Sequence, residues 1–227
     1  MSAPQPEPLT CLELETPGEV TAAVIWMHGL GADGNDFVPI VPDLGISPDR
    51  GVRFIFPNAP HRPVTINNGF VMPAWYDIYG MEPDSPQDEE GVQISSAQVA
   101  MLIEEQVQLG IPAERIVLAG FSQGGVIALH LGLRYPERLA GIVGLSTYLM
   151  RAGTLAAEAS EANREVPILQ AHGTFDPMVI YPRGTATREA LEAHGYQVEW
   201  HDYPMQHQVC MEEIHAVGAF LNRVLPA

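Results

Sequence analysis

The chain has 227 residues, 46% of them hydrophobic, enough for one sizeable core but with no apolar run long enough to span a bilayer. Its 28 acidic residues stand against 11 basic ones, all arginine, for a formal net charge of −17. So acidic a balance argues against nucleic acid and against stable association with an anionic membrane, since both are held through cationic contacts, and it favours solubility.

The opening MSAPQPEPLT lacks the basic and apolar regions of a secretory signal, so a cytoplasmic location is expected. Cys11 and Cys210 sit near opposite ends and form neither a disulfide framework nor a metal-binding pair. No P-loop or HExxH is present, and no metal or cofactor is expected. In chain order, the pattern predicts a strand at Ala22–Met27, a helix at Asn35–Val41 and a strand at Val52–Phe56. The stretch Pro57–Ile78 mixes Pro, Asn and Gly with aromatics and reads as an ordered excursion over one end of a sheet. Glu82–Glu90, acidic and turn-rich, reads as a solvated loop.

A helix is predicted at Gln93–Leu109, where Val99, Leu102, Ile103, Gln106 and Leu109 keep mainly apolar three- and four-residue spacing. Strands follow at Arg115–Ala119, Ala140–Leu145, Pro167–Ala171 and Gln197–Tyr203. Helices are predicted at Gln123–Arg134, Gly184–His194 and Gln208–Val224. This alternation predicts an α/β fold: a mostly parallel sheet with helices on both faces, in a single domain over 1–227 without a large lid.

Residues 120–124 read GFSQG, a G-x-S-x-G between the apolar, β-branched IVLAG and the helical GGVIALHLGLRYP. At a strand-to-helix turn the serine is held in a strained conformation with its hydroxyl exposed. Glycines then allow strand and helix to approach, and the helix dipole favours developing negative charge. Ser122 is therefore the candidate nucleophile. A serine needs a base, and the base needs an orienting acid, in the order Ser, acid, His at strand ends.

Among the later acids, Asp176 follows a buried-looking strand through the short turn HGTFDP. Asp202, near a strand end, is its rival, but it lies only five residues before the favoured histidine. Of the six histidines after Ser122, His130 and His215 fall in helices, His194 at a helix end and His201 in a strand. His172 suits a packed, hydrogen-bonded role. His207, on the loop MQHQ before the last helix, is placed to reach over the sheet as general base. An oxyanion hole is also needed: the amide of Gln123 is one donor by geometry, and that of Leu30, in WMHGLGADGND, is the second candidate. His28 reads as structural.

HGLGADGNDF, PNAPHRPVT, MPAWYDI, GIPAERIVLAGFSQGG, HGTFDP and the terminal H-x-x-C-x-E-E occur in the order found in a known family. From about Val24 to Leu225 the chain resembles the small carboxylesterases, which are similar to acyl-protein thioesterases and lysophospholipases of the α/β-hydrolase fold. The resemblance implies a triad of Ser122, Asp176 and His207, oxyanion donors at Leu30 and Gln123, and an acyl groove near Leu30, Trp75, Tyr148 and Met178. Met150 and Met178–Ile180 depart from the family's usual letters beside that groove. A homodimer is compatible with the family.

The leading expectation is a serine carboxylesterase acting on short- to medium-chain esters through an acyl-enzyme. The alternative is thioester or lysophospholipid cleavage by the same residues. A non-catalytic binding protein on the same fold is the remote rival, disfavoured because all three triad positions are filled.

Overall fold

The computed structural model describes residues 7–80 and 85–226. Among the described residues nine strands run in the order β1 (Cys11–Glu15), β2 (Val20–Met27), β3 (Gly51–Pro57), β4 (His61–Val64), β5 (Phe70–Pro73), β6 (Ile116–Phe121), β7 (Gly141–Leu145), β8 (Ile168–Gly173) and β9 (Val198–Tyr203). Between and after them lie α1 (Glu89–Gln108), α2 (Gln123–Arg134), a single-turn α3 (Leu155–Glu158), α4 (Tyr181–Ala193) and α5 (Met211–Val224). The main sheet has the order β1-β3-β2-β6-β7-β8-β9, parallel throughout except for β1 at one edge.

Strand alternation divides the core between the two faces. Ala23, Ile25 and Met27 of β2 pack with Val99 and Ile103 of α1 and Val126 and Leu129 of α2. Ala22, Val24 and Trp26 point to the other face, against Ile214, Val217 and Phe220 of α5. Helices on both faces explain why the inner strands are apolar on both sides rather than alternating with polar residues. The predicted α/β architecture is the one observed.

Local differences have local causes. The helix expected at Asn35–Val41 is a 3-10 helix at Val38–Leu44, because Pro39 and Pro42 each remove a donor that an α-helical ladder would need. Helix α1 starts at Glu89 rather than Gln93. Asp88 accepts the Gly91 N–H at its start, and Glu89 and Glu90 suit the positive end of the dipole. The end of the acidic stretch is thus helical, while Glu82–Asp84 lie outside the described residues. The excursion at Pro57–Ile78 is ordered: β4 and β5 form a hairpin whose connection contains Asn68 and Gly69 at positive φ.

The chain leaves β2 for β3 on one side and later reaches β6 on the other. That reversal opens a crevice at the C-terminal ends of β2 and β6, where such sheets place their sites.

Candidate active site

Ser122 occupies the turn between β6 and α2 with φ 54° and ψ −119°, a conformation that non-glycine residues rarely adopt. The turn holds because its neighbours lack side chains. A Cβ on Gly120 would lie 2.3 Å from the Gly124 backbone, and one on Gly124 would lie 2.4 Å from the Met27 carbonyl oxygen. The Ser122 N–H donates to the Leu145 carbonyl at 2.8 Å, and its own carbonyl accepts the Thr147 hydroxyl at 2.7 Å. Although Ser122 stands at the N-cap of α2, its side chain makes no capping bond, so the hydroxyl is left for another partner.

That partner is His207. Its Nε2 lies 2.9 Å from Ser122 Oγ, and its Nδ1 lies 2.7 Å from Asp176 Oδ2. With the Nδ1 proton donated to the carboxylate, Nε2 is the acceptor for the serine O–H. The other Asp176 oxygen accepts the amides of Met178 at 2.8 Å and Val179 at 2.9 Å. Burial would raise this carboxyl, but the bonds from His207 and the two amides outweigh it and hold it below its ordinary value. Phe121, the residue before the serine, packs its ring 4.8 Å from the imidazole centroid and supports it from the β6 side.

The other residues singled out in the sequence take distinct places. His172 is fully buried, donating from Nε2 to the Val179 carbonyl at 2.7 Å. His28 is buried too: Nδ1 donates to the Gly29 carbonyl at 2.7 Å and Nε2 accepts the Ala59 N–H at 3.0 Å. Burial lowers the basicity of both rings. Asp202 accepts the Tyr181 hydroxyl on the surface at 2.5 Å, away from the serine. Among the described residues, nothing accepts from the amides of Leu30 and Gln123, and both residues line the same cleft as Ser122.

Above the serine lies a cleft of about 640 Å³ whose walls include Leu30, Tyr76, Ile78, Tyr148, Met178 and Val179. Tyr148 and Met178 are therefore on it. Trp75 is not: expected on the groove, it is wholly buried beneath it, with its indole N–H donating to the His28 carbonyl at 2.8 Å. Its bulk fills the core below the loop that carries Leu30, while its neighbour Tyr76 reaches the surface of the cleft. Met150 is likewise buried and does not line the cleft. A hollow of about 720 Å³ at the opposite end of the sheet, where β8 and β9 begin, has no serine, cysteine or histidine in its walls.

A family model described as phospholipase/carboxylesterase matches residues 10–225. The acyl-protein thioesterase 1 of Neurospora crassa is 42% identical over 215 residues, covering 91% of this chain and 88% of that protein. Its counterpart in Schizosaccharomyces pombe is 39% identical over 208 residues, covering 90% and 92%. The crystal structure of Zea mays acyl-protein thioesterase 2 aligns with a TM-score of 0.85 at 31% identity, over 96% of this chain and 99% of that one. Both of these curated relatives are named as acyl-protein thioesterases.

Proposed function

The chain belongs to the phospholipase/carboxylesterase family and has the α/β-hydrolase fold; from that premise we propose that it hydrolyses acyl thioesters, with Ser122 as nucleophile. The observation that carries the chemistry is the continuous hydrogen-bonded series Asp176–His207–Ser122 beneath an apolar cleft. Similarity to proteins named acyl-protein thioesterases favours the sulfur ester over the oxygen ester that leads from sequence alone.

In this reading His207 Nε2 takes the Ser122 proton as Oγ attacks the carbonyl carbon. Asp176 holds the imidazole in the required tautomer and balances its charge. The free amides of Leu30 and Gln123 receive the oxyanion, assisted by the N-terminus of α2. Collapse breaks the carbon–sulfur bond, and the leaving sulfur takes the proton from His207 and departs as the thiol, which returns the imidazole to its neutral form. Water then attacks the acyl-serine, again with His207 as base, and releases the fatty acid and the free serine.

Oxygen esters and lysophospholipids fit the same residues. Comparing kcat/KM for an S-octanoyl cysteine peptide, p-nitrophenyl octanoate and octanoyl lysophosphatidylcholine distinguishes them. The expected result is efficient thioester turnover that Ser122→Ala abolishes. Ester hydrolysis with the thioester untouched would return the protein to the carboxylesterases. A folded wild type inert on all three would favour a binding role.

A further inference from the structure

The cleft also holds a cation that the reaction above does not use. Arg183 lines the same cavity as Ser122 and His207. Its guanidinium carbon lies 3.5 Å from the centroid of the Tyr148 ring, the separation of a stacked approach. The Tyr148 hydroxyl is in turn 3.0 Å from that of Tyr76, so the ring under the guanidinium is itself positioned. A guanidinium carries its N–H donors in its own plane, and stacking one face on an aromatic ring leaves that donor edge open.

Ion pairing does not account for this placement. Among the described residues no carboxylate lies within ion-pairing distance of Arg183, whereas Arg53, Arg134, Arg151 and Arg223 all meet glutamates. Asp36, which also borders the cleft, makes no ion pair with it. Arg183 is the third residue of α4, in the first turn, where the helix dipole opposes a positive charge. An oriented guanidinium within an apolar cleft, with no carboxylate partner among the described residues, is suited to a bidentate oxyanion.

We infer that Arg183 forms an anion subsite, and that the preferred substrate carries a carboxylate, or another oxyanion of similar size, received at the Tyr148 end of the cleft. This rests on the hydrolase reading and adds a substrate class to it: acyl compounds with a negative charge on either the acyl or the leaving-group side. In a chain of net charge −17, a local cation is what would admit such a substrate against the general field.

Two pairs of substrates locate the charge. The acyl-side pair is the p-nitrophenyl half-ester of adipate against p-nitrophenyl hexanoate. The leaving-group pair is the hexanoate ester of 4-hydroxybenzoate against that of its methyl ester. The readout is the ratio of kcat/KM for the anionic and neutral member in wild type, Arg183→Gln and Arg183→Lys. In at least one pair, Arg183→Gln is expected to lower the ratio about ten- to a hundredfold, with Lys restoring part of it.

Ratios that agree within about fivefold across the three proteins in both pairs overturn the inference and leave Arg183 as a support for Tyr148. If wild type turns over none of these esters, turnover of the S-octanoyl cysteine peptide decides the hydrolase reading separately. Calorimetric binding of monomethyl suberate then decides the subsite: binding to wild type that Arg183→Gln loses supports it, and absent or equal binding overturns it.

Discussion

The side-chain carbonyl of Gln123 accepts the backbone N–H of Trp75 at 2.8 Å, and the same amide group donates to the Tyr76 carbonyl at 2.6 Å. The residue after Ser122 thereby fastens the excursion that walls the cleft to the start of α2. Trp75 continues the connection through its indole N–H to the His28 carbonyl, at the head of the loop that carries Leu30. The two loops that offer free amides to the site are therefore mounted on one frame.

Replacing Gln123 by Ala keeps its backbone N–H but leaves the buried Trp75 N–H and Tyr76 carbonyl without partners. Each orphaned group costs on the order of 1–3 kcal/mol. A lower melting temperature is expected, together with a fall in kcat that exceeds any change in KM, because the loss falls on placement of the oxyanion donors. Thermal melts and steady-state kinetics on one protein preparation check both. A normal kcat with reduced stability would reduce Gln123 to a packing role.

Asp176→Asn tests the orientation of the base. The amide either turns its NH₂ toward His207, which favours the wrong tautomer, or presents it to the Met178 and Val179 amides, which clash with a donor. Either way kcat is expected to drop roughly 10³- to 10⁴-fold. The folded structure should persist, and circular dichroism with kinetics at saturating substrate reads both.

Gly124→Ala puts a methyl group 2.4 Å from the Met27 carbonyl oxygen and 2.6 Å from that of His28, which moves α2 away from β2 and takes Ser122 with it. A loss of a few kcal/mol of stability and most of the activity is expected. Gly153→Ala is the control, since its added Cβ meets nothing within 4 Å. Denaturant midpoints and turnover of the two variants should separate clearly.

Glu213, in the first turn of α5, has no exposed surface, and neither carboxyl oxygen has a donor in bonding geometry. Burial pushes its pKa up to about 8 from its ordinary 4.5, offset only in part by the Cys210 amide. Between those values the folded protein holds a proton that the unfolded chain has lost. The stability this proton contributes is complete below about pH 4.5 and is lost as pH rises through about 8. Glu213→Gln removes that dependence, so its advantage over wild type should grow from pH 5.5 to pH 8.5, reaching on the order of a few kcal/mol. Urea titrations at the two values measure it, and equal differences at both would place the charge elsewhere.

What the sequence reveals here follows from how local each signal is. The strands ending before Ser122 and Asp176 are continuous apolar runs, and with the order of serine, acid and histidine they place the candidate triad without coordinates. Strand β1 was legible too, in the alternation of Leu12 and Leu14 with Glu13 and Glu15, but it is a short edge strand and went unpredicted. Trp75 shows the limit: hydrophobicity cannot distinguish a residue lining a cleft from one packed just beneath it. The side-chain roles of Gln123, Phe121 and Arg183 depend on partners distant in the chain. Trp75 lies 48 positions from Gln123, and no periodicity carries that contact.

The central claim is that the strained serine between β6 and α2 is the nucleophile. Incubating wild type and Ser122→Ala with a fluorophosphonate, then mapping any adduct by peptide mass while following thioester hydrolysis, tests it most directly. The account predicts one adduct, on Ser122, whose formation runs in step with loss of hydrolysis, and neither adduct nor hydrolysis in the variant. An adduct on another residue, or hydrolysis by Ser122→Ala at the wild-type rate, would contradict it.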